Sequence, residues 1–269
     1  YYKMGNEFGG IGPGKIADIL ILDDYKKIKI NKVILGGKIV VSNGKILQTI
    51  HTPKLPTWIQ KTVKLSKLQP KNFYITSKNN IETVNVISMK TEIVTKKTTT
   101  DLDVKNSNIL SSYDKDIWKV AAMDRTFGSK THAVGFLENF GADVGAFAST
   151  WSFHENDMIV IGSNEKDMAD AANKLVKSQG GLIVVKNGKT LASLPFQMGG
   201  IISTDKIDKV TRNFTKINDV LLDSGCKFKK PHLIPLFLPF LALPDIRIMY
   251  SGIVDVKARK FIPTIQTTV

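Results

Sequence analysis

The sequence contains one cysteine, Cys226, among its 269 residues, so no intrachain disulfide framework is available to it. It contains four histidines, His51, His132, His154 and His232, and no two of them lie within five positions of each other. The sequence therefore lacks the His-x-His, H-E-x-x-H and C-x-x-C patterns that bring metal ligands together. A zinc or two-metal site built from this chain alone would need scattered ligands.

Long apolar runs are also absent. No run of about 18 residues is free of both charge and proline, so the sequence predicts no membrane-spanning helix. The most apolar stretch, residues 231–250, contains four prolines and favours short helical and extended pieces in a core. An apolar fraction of 42% excludes a wholly disordered chain.

Positive charge is abundant, but it is lysine rather than arginine. The net charge is +14, and residues 1–70 hold 12 lysines against four acidic residues. No arginine cluster and no aromatic-interleaved motif accompanies these lysines, so they indicate a generic solvated surface. Electrostatic binding of nucleic acid remains as a weaker alternative.

The first part of the chain predicts strands. Residues 14–50 contain short β-branched runs separated by Gly36-Gly37 and Asn43-Gly44, which are hairpin signatures. These strands are too few to bury both faces of a sheet by themselves, so the sheet is expected to need a partner. The chain begins with tyrosine rather than methionine, and we interpret it as lacking its natural beginning. Residues 51–70 predict a connector with one short helix.

The rest of the chain predicts a mixture of strands and helices. Because hairpins outnumber crossovers, the pattern favours an α+β fold on a largely antiparallel sheet. The predicted strands are found within 72–110, at 157–162, and in a hairpin of 182–185 and 190–194 around Asn187-Gly188. The predicted helices are 113–124, a helix capped by Asn164 and running through Lys177, and 205–224. Residues 128–145 are too rich in glycine for an assignment.

The one dense polar cluster is His154-Glu155-Asn156-Asp157, directly before a buried strand. Such a cluster can offer a general base, a hydrogen-bond donor and a metal ligand. The alternative is a polar turn whose side chains bond their own backbone. Cys226 lies among lysines that would favour a thiolate, but no base is adjacent. The segment around Gly188-Lys189-Thr190 lacks the first glycine of a phosphate-binding loop.

Two regions together resemble the adenine deaminases of the metal-dependent amidohydrolase superfamily. The first is a glycine-rich turn followed by an Ala-Asp-hydrophobic strand, at residues 9–23. The second is a series of short motifs that resemble the C-terminal domain of these enzymes in order and spacing: Gly145–Thr150, Ile159–Asn164, Asp167–Ala169, Gly180–Val185, Leu191–Pro195 and Phe240–Pro244.

The resemblance implies an α+β chain in two parts. Residues 1–65 are expected to form the end of a barrel and a small β domain that contributes strands to a composite β-sandwich. Residues 66–269 are expected to form the C-terminal α+β domain. The parent's (β/α)8 barrel, with paired manganese or iron ions, would be absent from this chain, which would hold no metal itself.

The resemblance also implies a function. The full-length, metal-loaded parent would hydrolyse adenine, or a related purine, to hypoxanthine and ammonia, and this chain alone would be inactive. We expect His154 and Glu155 to act in catalysis and Asn156 and Asp157 to bind substrate, while the chain covers the active-site mouth. A cytoplasmic homo-oligomer is expected, with no membrane partner, and nucleic-acid binding stays the weaker alternative.

One departure from the family pattern supports a second hypothesis. Adenine deaminases usually carry His-Asp-Ser-His-Asn where this sequence reads Phe153-His154-Glu155-Asn156-Asp157. The polar character is kept, but the order of residues is not. The alternative is therefore a non-catalytic binding or assembly module that has lost deaminase activity.

Overall fold

The structure is a computed structural model that describes residues 2–49 and 54–266. It divides into two compact units, Tyr1–Lys54 and Leu55–Val269. His51 lies outside the described residues. The division of the chain into 1–65 and 66–269 stays a prediction.

The first unit is an antiparallel meander in which each strand pairs with the next. Its strands are β1 (Ile19–Asp24), β2 (Lys29–Leu35), β3 (Lys38–Ser42) and β4 (Lys45–Ile46). Both expected hairpins are confirmed. Gly36-Gly37 and Asn43-Gly44 all adopt positive φ, between 49° and 79°, which matches the twist of two-residue hairpin turns.

This meander leaves much of its apolar surface open. Val40 is the single buried apolar side chain among residues 2–49. By contrast Leu20, Leu35 and Ile46 are each more than half exposed. A sheet with so few buried side chains lacks a core of its own within the unit.

The second unit is built on a nine-stranded sheet. Its strands are β5 (Ile81–Met89), β6 (Thr95–Lys105), β7 (Asn108–Ile109), β8 (Ile117–Asp124), β9 (His132–Glu138), β10 (Ala146–Ser149), β11 (Asp157–Gly162), β12 (Gly181–Lys186) and β13 (Lys189–Pro195). Their order in the sheet is β13-β12-β10-β11-β8-β9-β5-β6-β7. Every described strand pair in it is antiparallel except β5 with β9.

Few helices accompany this sheet. The helices are α1 (Thr57–Gln60), α2 (Glu165–Ser178), α3 (Ile207–Asp223) and α4 (Ile234–Phe237), with 3-10 turns at Pro70–Phe73 and Pro231–Leu233. A separate antiparallel sheet contains β14 (Ile246–Met249), β15 (Gly252–Asp255) and β16 (Lys260–Ile262). The expected mixed α+β class with a largely antiparallel sheet is confirmed.

The nine-stranded sheet is covered on both faces. Strand β11 shows this arrangement, because Met158 and Val160 belong to the buried cluster that includes residues of α2, whereas Ile159 and Ile161 belong to the cluster that includes residues of α3, α4 and β14. Alternate side chains of a strand point to opposite faces, so both faces of β11 must be apolar. No helix in the described part of the chain is long and apolar enough to span a membrane.

The predicted helix at 113–124 is wrong. Residues 117–124 form strand β8, and all eight of them are buried. Ile117, Val120 and Ala121 fit helical spacing only because a strand buried on both faces is apolar throughout, which removes the alternation that identifies a strand. The unassigned region 128–145 contains strand β9.

The helix predicted after Asn164 is confirmed as α2. The Asn164 side chain accepts a hydrogen bond from the amide of Asp167, 2.9 Å away, and thereby satisfies one free N–H of the first turn. The helix ends at Gln179, which adopts a left-handed conformation with φ of 60°. The glycine that follows it, Gly180, has a φ of 118°.

Asp167 connects α2 to the β12–β13 turn, and removal of its carboxylate should lower the stability of the fold. Its carboxylate is 2% exposed and accepts the amides of Asn187 at 2.8 Å and Gly188 at 2.7 Å. Asp167→Ala should lower the free energy of unfolding by about 2–4 kcal/mol, because two amides lose a charged acceptor. Urea denaturation measures the change. Asp170→Ala, on the same helix, is the control, and an equal loss in both variants would contradict this assignment.

Candidate functional site

The predicted polar cluster lies where two neighbouring strands of the large sheet meet. Strand β8 ends at Asp124 and strand β11 begins at Asp157, and these two residues are direct partners in the antiparallel register. The loop that enters β11 carries Glu155 and Asn156, and Arg125 follows β8. Antiparallel pairing of β8 and β11 thus brings residues from two distant segments of the chain together at one end of these two strands.

Asp157 is the most deeply buried member, with 1% of its surface exposed. Burial, together with the negative charges of Glu155 and Asp124, raises the pKa of its carboxyl to about 7. A hydrogen bond from the amide of Tyr250, 2.9 Å from Oδ2, and the positive charge of Arg125 act in the opposite direction. The result is a carboxyl group that changes protonation near neutral pH.

Arg125 is a buried cation that is held by neutral oxygens. It is 2% exposed, and it donates from Nη1 to the carbonyl of Gly199 at 3.2 Å and from Nη2 to Asn156 Oδ1 at 3.3 Å. Its Nε is buried without a partner among the described residues. Burial lowers the pKa of Arg125 to about 10, opposed by the charge of Asp157. The guanidinium therefore joins the loop before β11 to the segment around Gly199.

Asn156 is occupied by this framework. It adopts a positive φ of 58°, its amide donates to Ser152 Oγ at 2.9 Å, and its Nδ2 donates to the carbonyl of His154 at 3.1 Å. Its Oδ1 accepts from Arg125. The turn interpretation therefore holds for Asn156, whose side chain bonds the loop backbone and one buried arginine.

Glu155 and His154 point in different directions. Glu155 Oε1 accepts from the amide of Leu241 at 3.3 Å, and its Oε2 is buried with no partner among the described residues. His154 is exposed. Phe153, 55% exposed, packs its ring 5.2 Å from that of Phe237. The structure thus brings Glu155 to the buried cluster and leaves His154 accessible at the tip of the loop.

Sequence reasoning missed Asp124 and Arg125. The carboxylate of Asp124 accepts the amides of Thr126 at 3.0 Å and Phe127 at 2.9 Å, which shapes the turn after β8. Burial would raise the pKa of Asp124, but the hydrogen bonds from the Ser129 hydroxyl and from these backbone amides outweigh it, so the pKa is lowered. The sequence feature that could have identified these two residues is an Asp-Arg pair directly after the largely apolar run at 117–123. Because the sequence predicts a helix for this run, it does not show that Asp124 and Arg125 lie at the end of a strand.

Cys226 is not a reactive thiol in this structure. It is buried, and burial raises its thiol pKa to about 11. The expectation that neighbouring lysines would favour a thiolate is therefore wrong, because desolvation dominates and the negative charges of Glu92 and Asp116 also raise the pKa. Asn187 and Gly188 form the β12–β13 turn, as the hairpin interpretation predicted.

Comparison with known proteins gives a consistent result. The family model described as "Adenine deaminase C-terminal domain" matches residues 92–260. An adenine deaminase of Cenarchaeum symbiosum is 49% identical over 265 residues, which are 98% of this chain and 44% of that protein. Adenine deaminases of Desulforamulus reducens and Staphylothermus marinus are 30% and 32% identical over at least 97% of this chain. The chain spans less than half the length of these relatives.

Proposed function

Because this chain belongs to the adenine deaminase C-terminal domain family, we propose that it is the C-terminal portion of an adenine deaminase-like amidohydrolase. The whole protein would hydrolyse adenine to hypoxanthine and ammonia. The observation that carries this proposal is the 49% identity over 98% of the chain to a relative named adenine deaminase. We further propose a cytoplasmic homo-oligomer with adenine or a related purine as substrate.

The proposed enzyme would hold paired manganese or iron ions in a (β/α)8 barrel that we propose to lie outside this sequence. Within residues 2–49 and 54–266 there is no group of three or more His, Cys, Asp or Glu side chains that could hold a metal ion. The described residues therefore do not fit a metal centre. The contribution proposed for this chain comes from its own side chains.

The meander of β1–β4 supports the proposed architecture of the parent. Its strands expose Leu20, Leu35 and Ile46, and apolar sheet surface of this kind is usually covered by another part of a protein. We propose that residues 1–65 form the end of the barrel and supply strands to a composite β-sandwich. The remaining residues, 66–269, would form the C-terminal α+β domain.

The loop before β11 is proposed to cover the active-site mouth. His154 is exposed and can reach a ligand, so we propose it as the acid-base group, with Glu155 as a second catalytic residue that acts from the buried cluster. Asn156 and Asp157 would bind substrate or hold the loop in a binding conformation. The titration of Asp157 near neutral pH supports a role in which its protonation matters.

An ammonia-release assay tests the proposed division of labour. The full-length protein supplied with Mn²⁺ should release ammonia from adenine, and residues 1–269 alone should not. A metal-free preparation of the full-length protein is the control. Metal-dependent turnover by residues 1–269 alone would refute the proposal that catalysis needs the barrel.

The second candidate function is a binding or assembly module without deaminase activity. The observation that favours it is the internal use of Glu155, Asn156 and Asp157, whose side chains bond Leu241, Arg125 and Tyr250. Side chains engaged in this way hold a loop whether or not a substrate is present. This candidate predicts that the metal-loaded full-length protein lacks activity.

The ammonia-release assay of the full-length protein separates the two candidates, and His154→Ala then tests the proposed role of His154 in an active enzyme. If His154 is the acid-base group, the variant should lose about 100-fold or more in kcat/KM while its stability is unchanged, because the side chain is exposed. His132→Ala is a matched control, since His132 is also exposed and lies outside the loop. Unchanged kcat/KM in the His154 variant would exclude His154 from the chemistry.

A further inference from the structure

A cavity of about 300 Å³ lies between residues 65–72 on one side and the end of β8 and the beginning of β9 on the other. Its volume falls at the lower end of the range of small-molecule sites, which is about 300–1,000 Å³. It lies on the face of the large sheet that α2 covers, because Met123 in its lining belongs to the buried cluster that includes residues of α2. None of the residues proposed for the deaminase function lines it.

All the charged residues in the lining of this cavity are lysines. Lys67, Lys71 and Lys130 line it, and no Asp or Glu is among its lining residues. The three lysines are exposed, and within residues 2–49 and 54–266 none of their ammonium groups forms a hydrogen bond or an ion pair. Three like charges around one cavity repel each other, so a bound anion would be favourable there.

The carboxylate that is nearest to this cavity in sequence, Asp124, does not line it. Asp124 is 3% exposed, and its Oδ1 accepts the amides of Thr126 and Phe127. Its Oδ2 accepts both the amide and the hydroxyl of Ser129. These four hydrogen bonds hold the carboxylate in the turn after β8, so it forms no ion pair with Lys130.

Both walls of the cavity are fixed by hydrogen bonds. The amide of Leu68 donates to Asn173 Oδ1 at 2.8 Å, and the carbonyl of Leu68 accepts from Asn173 Nδ2 at 2.9 Å, which attaches the first wall to α2. In the second wall, the carbonyl of Lys130 lies 3.2 Å from Nδ1 of His132, which donates to it. A cavity with walls held in this way loses little conformational freedom when a ligand binds.

The inner surface of the cavity is apolar. Met123 is fully buried, and Leu65 and Leu68 are half-buried and pack against the same cluster. The lysines, by contrast, are exposed and therefore lie towards the solvent. An anion without an organic part would leave the apolar inner surface uncovered.

We propose that this cavity binds a small phosphorylated organic molecule, whose phosphate lies among the three lysines and whose uncharged part contacts the apolar inner surface. A phosphate ester carries up to two negative charges at neutral pH and three strong acceptor oxygens, which suits several lysines better than one carboxylate does. The lining contains no Phe, Tyr or Trp on which the bases of a nucleic-acid strand would stack. This site does not depend on the deaminase function.

Calorimetric titration of the 269-residue chain at low ionic strength tests the proposal with three compounds. Butyl phosphate has the charge and an apolar body, inorganic phosphate has the charge alone, and butanol has the body alone. Butyl phosphate should bind one site per chain with a dissociation constant on the order of 1 mM or tighter. Inorganic phosphate should bind at least about fivefold more weakly, because it buries no CH2 group, and butanol should not bind measurably. Absence of butyl phosphate binding, or equal affinity for butyl phosphate and butanol, would overturn the proposal.

Removal of the lysine charges gives the sharper test. Lys67→Gln, Lys71→Gln and Lys130→Gln should each weaken butyl phosphate binding by about fivefold, the loss expected for one charge pair about 4 Å apart in water. The triple variant should bind at least about 50-fold more weakly. Lys216→Gln is the matched control, because Lys216 is exposed and lies on α3, whose buried residues belong to the cluster on the opposite face of the sheet. The affinity of this control should equal that of the wild type.

Two further outcomes would contradict the site. Equal losses of affinity in Lys216→Gln and in the cavity variants would assign the binding to the general positive charge of the surface. Binding of a ten-residue oligothymidylate that depends on the three lysines, without binding of butyl phosphate, would assign these lysines to a nucleic acid. Circular dichroism of each variant confirms that the comparison is made between folded proteins.

Discussion

Glu165→Ala should lower the free energy of unfolding by about 3–5 kcal/mol, because it leaves a buried cation without its counter-ion. The side chain of Lys119 is 1% exposed, and its Nζ lies 2.6 Å from Glu165 Oε1. The remaining partners of Nζ are neutral: Asn108 Oδ1 at 2.7 Å and the carbonyl of Phe73 at 3.1 Å. Without Glu165, the ammonium would stay buried with no opposite charge beside it.

The pKa values of the pair agree with this account. Burial lowers the pKa of Lys119, and the hydrogen bond that its Nζ donates to Glu165 only partly opposes that effect. Burial would raise the pKa of Glu165, but hydrogen bonds from Lys119 and Asn108 outweigh it, so the pKa falls below its ordinary value of 4.5. The contribution of the Glu165 carboxylate is thus present above pH 4.5 and is lost as the pH falls through its lowered pKa.

Urea denaturation at pH 7 measures the loss, and a double replacement serves as its control. Lys119→Met combined with Glu165→Leu removes both charges and should recover most of the stability, since apolar pairs can replace buried ion pairs. A loss below about 1 kcal/mol in Glu165→Ala would show that the pair is not coupled. A double variant as unstable as the single one would assign the effect to packing.

The elements that the sequence predicts correctly are those with local causes. The turn at Asn187-Gly188 follows from two residues that tolerate positive φ. Helix α2 follows from the Asn164 cap and an apolar stripe. Strand β8 could not be found in this way, because its apolar residues are explained only by layers on both faces of the sheet.

The candidate site was predictable in position but not in detail. Four consecutive polar residues before an apolar strand mark the loop at 154–157. Which of them points inward depends on partners that are distant in sequence, because Glu155 bonds a residue 86 positions away and Asp157 bonds one 93 positions away. The buried cation of the cluster, Arg125, directly follows β8 and lies 31 positions before Asn156. No local pattern encodes these contacts.

Asp157→Asn should make the protein more stable at pH 8 and remove a pH dependence of its stability. The folded pKa of Asp157 is about 7, above the ordinary value of 3.8, so the folded state holds the proton more tightly than the unfolded state. Its favourable contribution is complete below pH 3.8 and is lost as the pH rises through about 7. A difference of roughly three pKa units corresponds to about 4 kcal/mol at most.

Asparagine keeps the geometry of the site without the charge. Its Oδ1 can accept the amide of Tyr250 as Asp157 does, and it is neutral at every pH. Urea denaturation at pH 5 and pH 8 should show wild-type stability falling by a few kcal/mol between the two, and Asp157→Asn should show a much smaller fall. Asp208→Asn, which neutralises an exposed carboxylate, should behave like the wild type.

The same variant tests why a charged residue is kept where a neutral one would be more stable. If the protonation of Asp157 serves substrate binding in the parent enzyme, Asp157→Asn in the full-length protein should gain stability at pH 8 and lose kcat/KM. Gain in stability with unchanged kcat/KM would make Asp157 a residue of the loop framework alone. A variant that is equally destabilised at pH 5 and pH 8 would refute the raised pKa of Asp157. In that case, removing the charge of Asp157 would not increase the free energy of unfolding at pH 8.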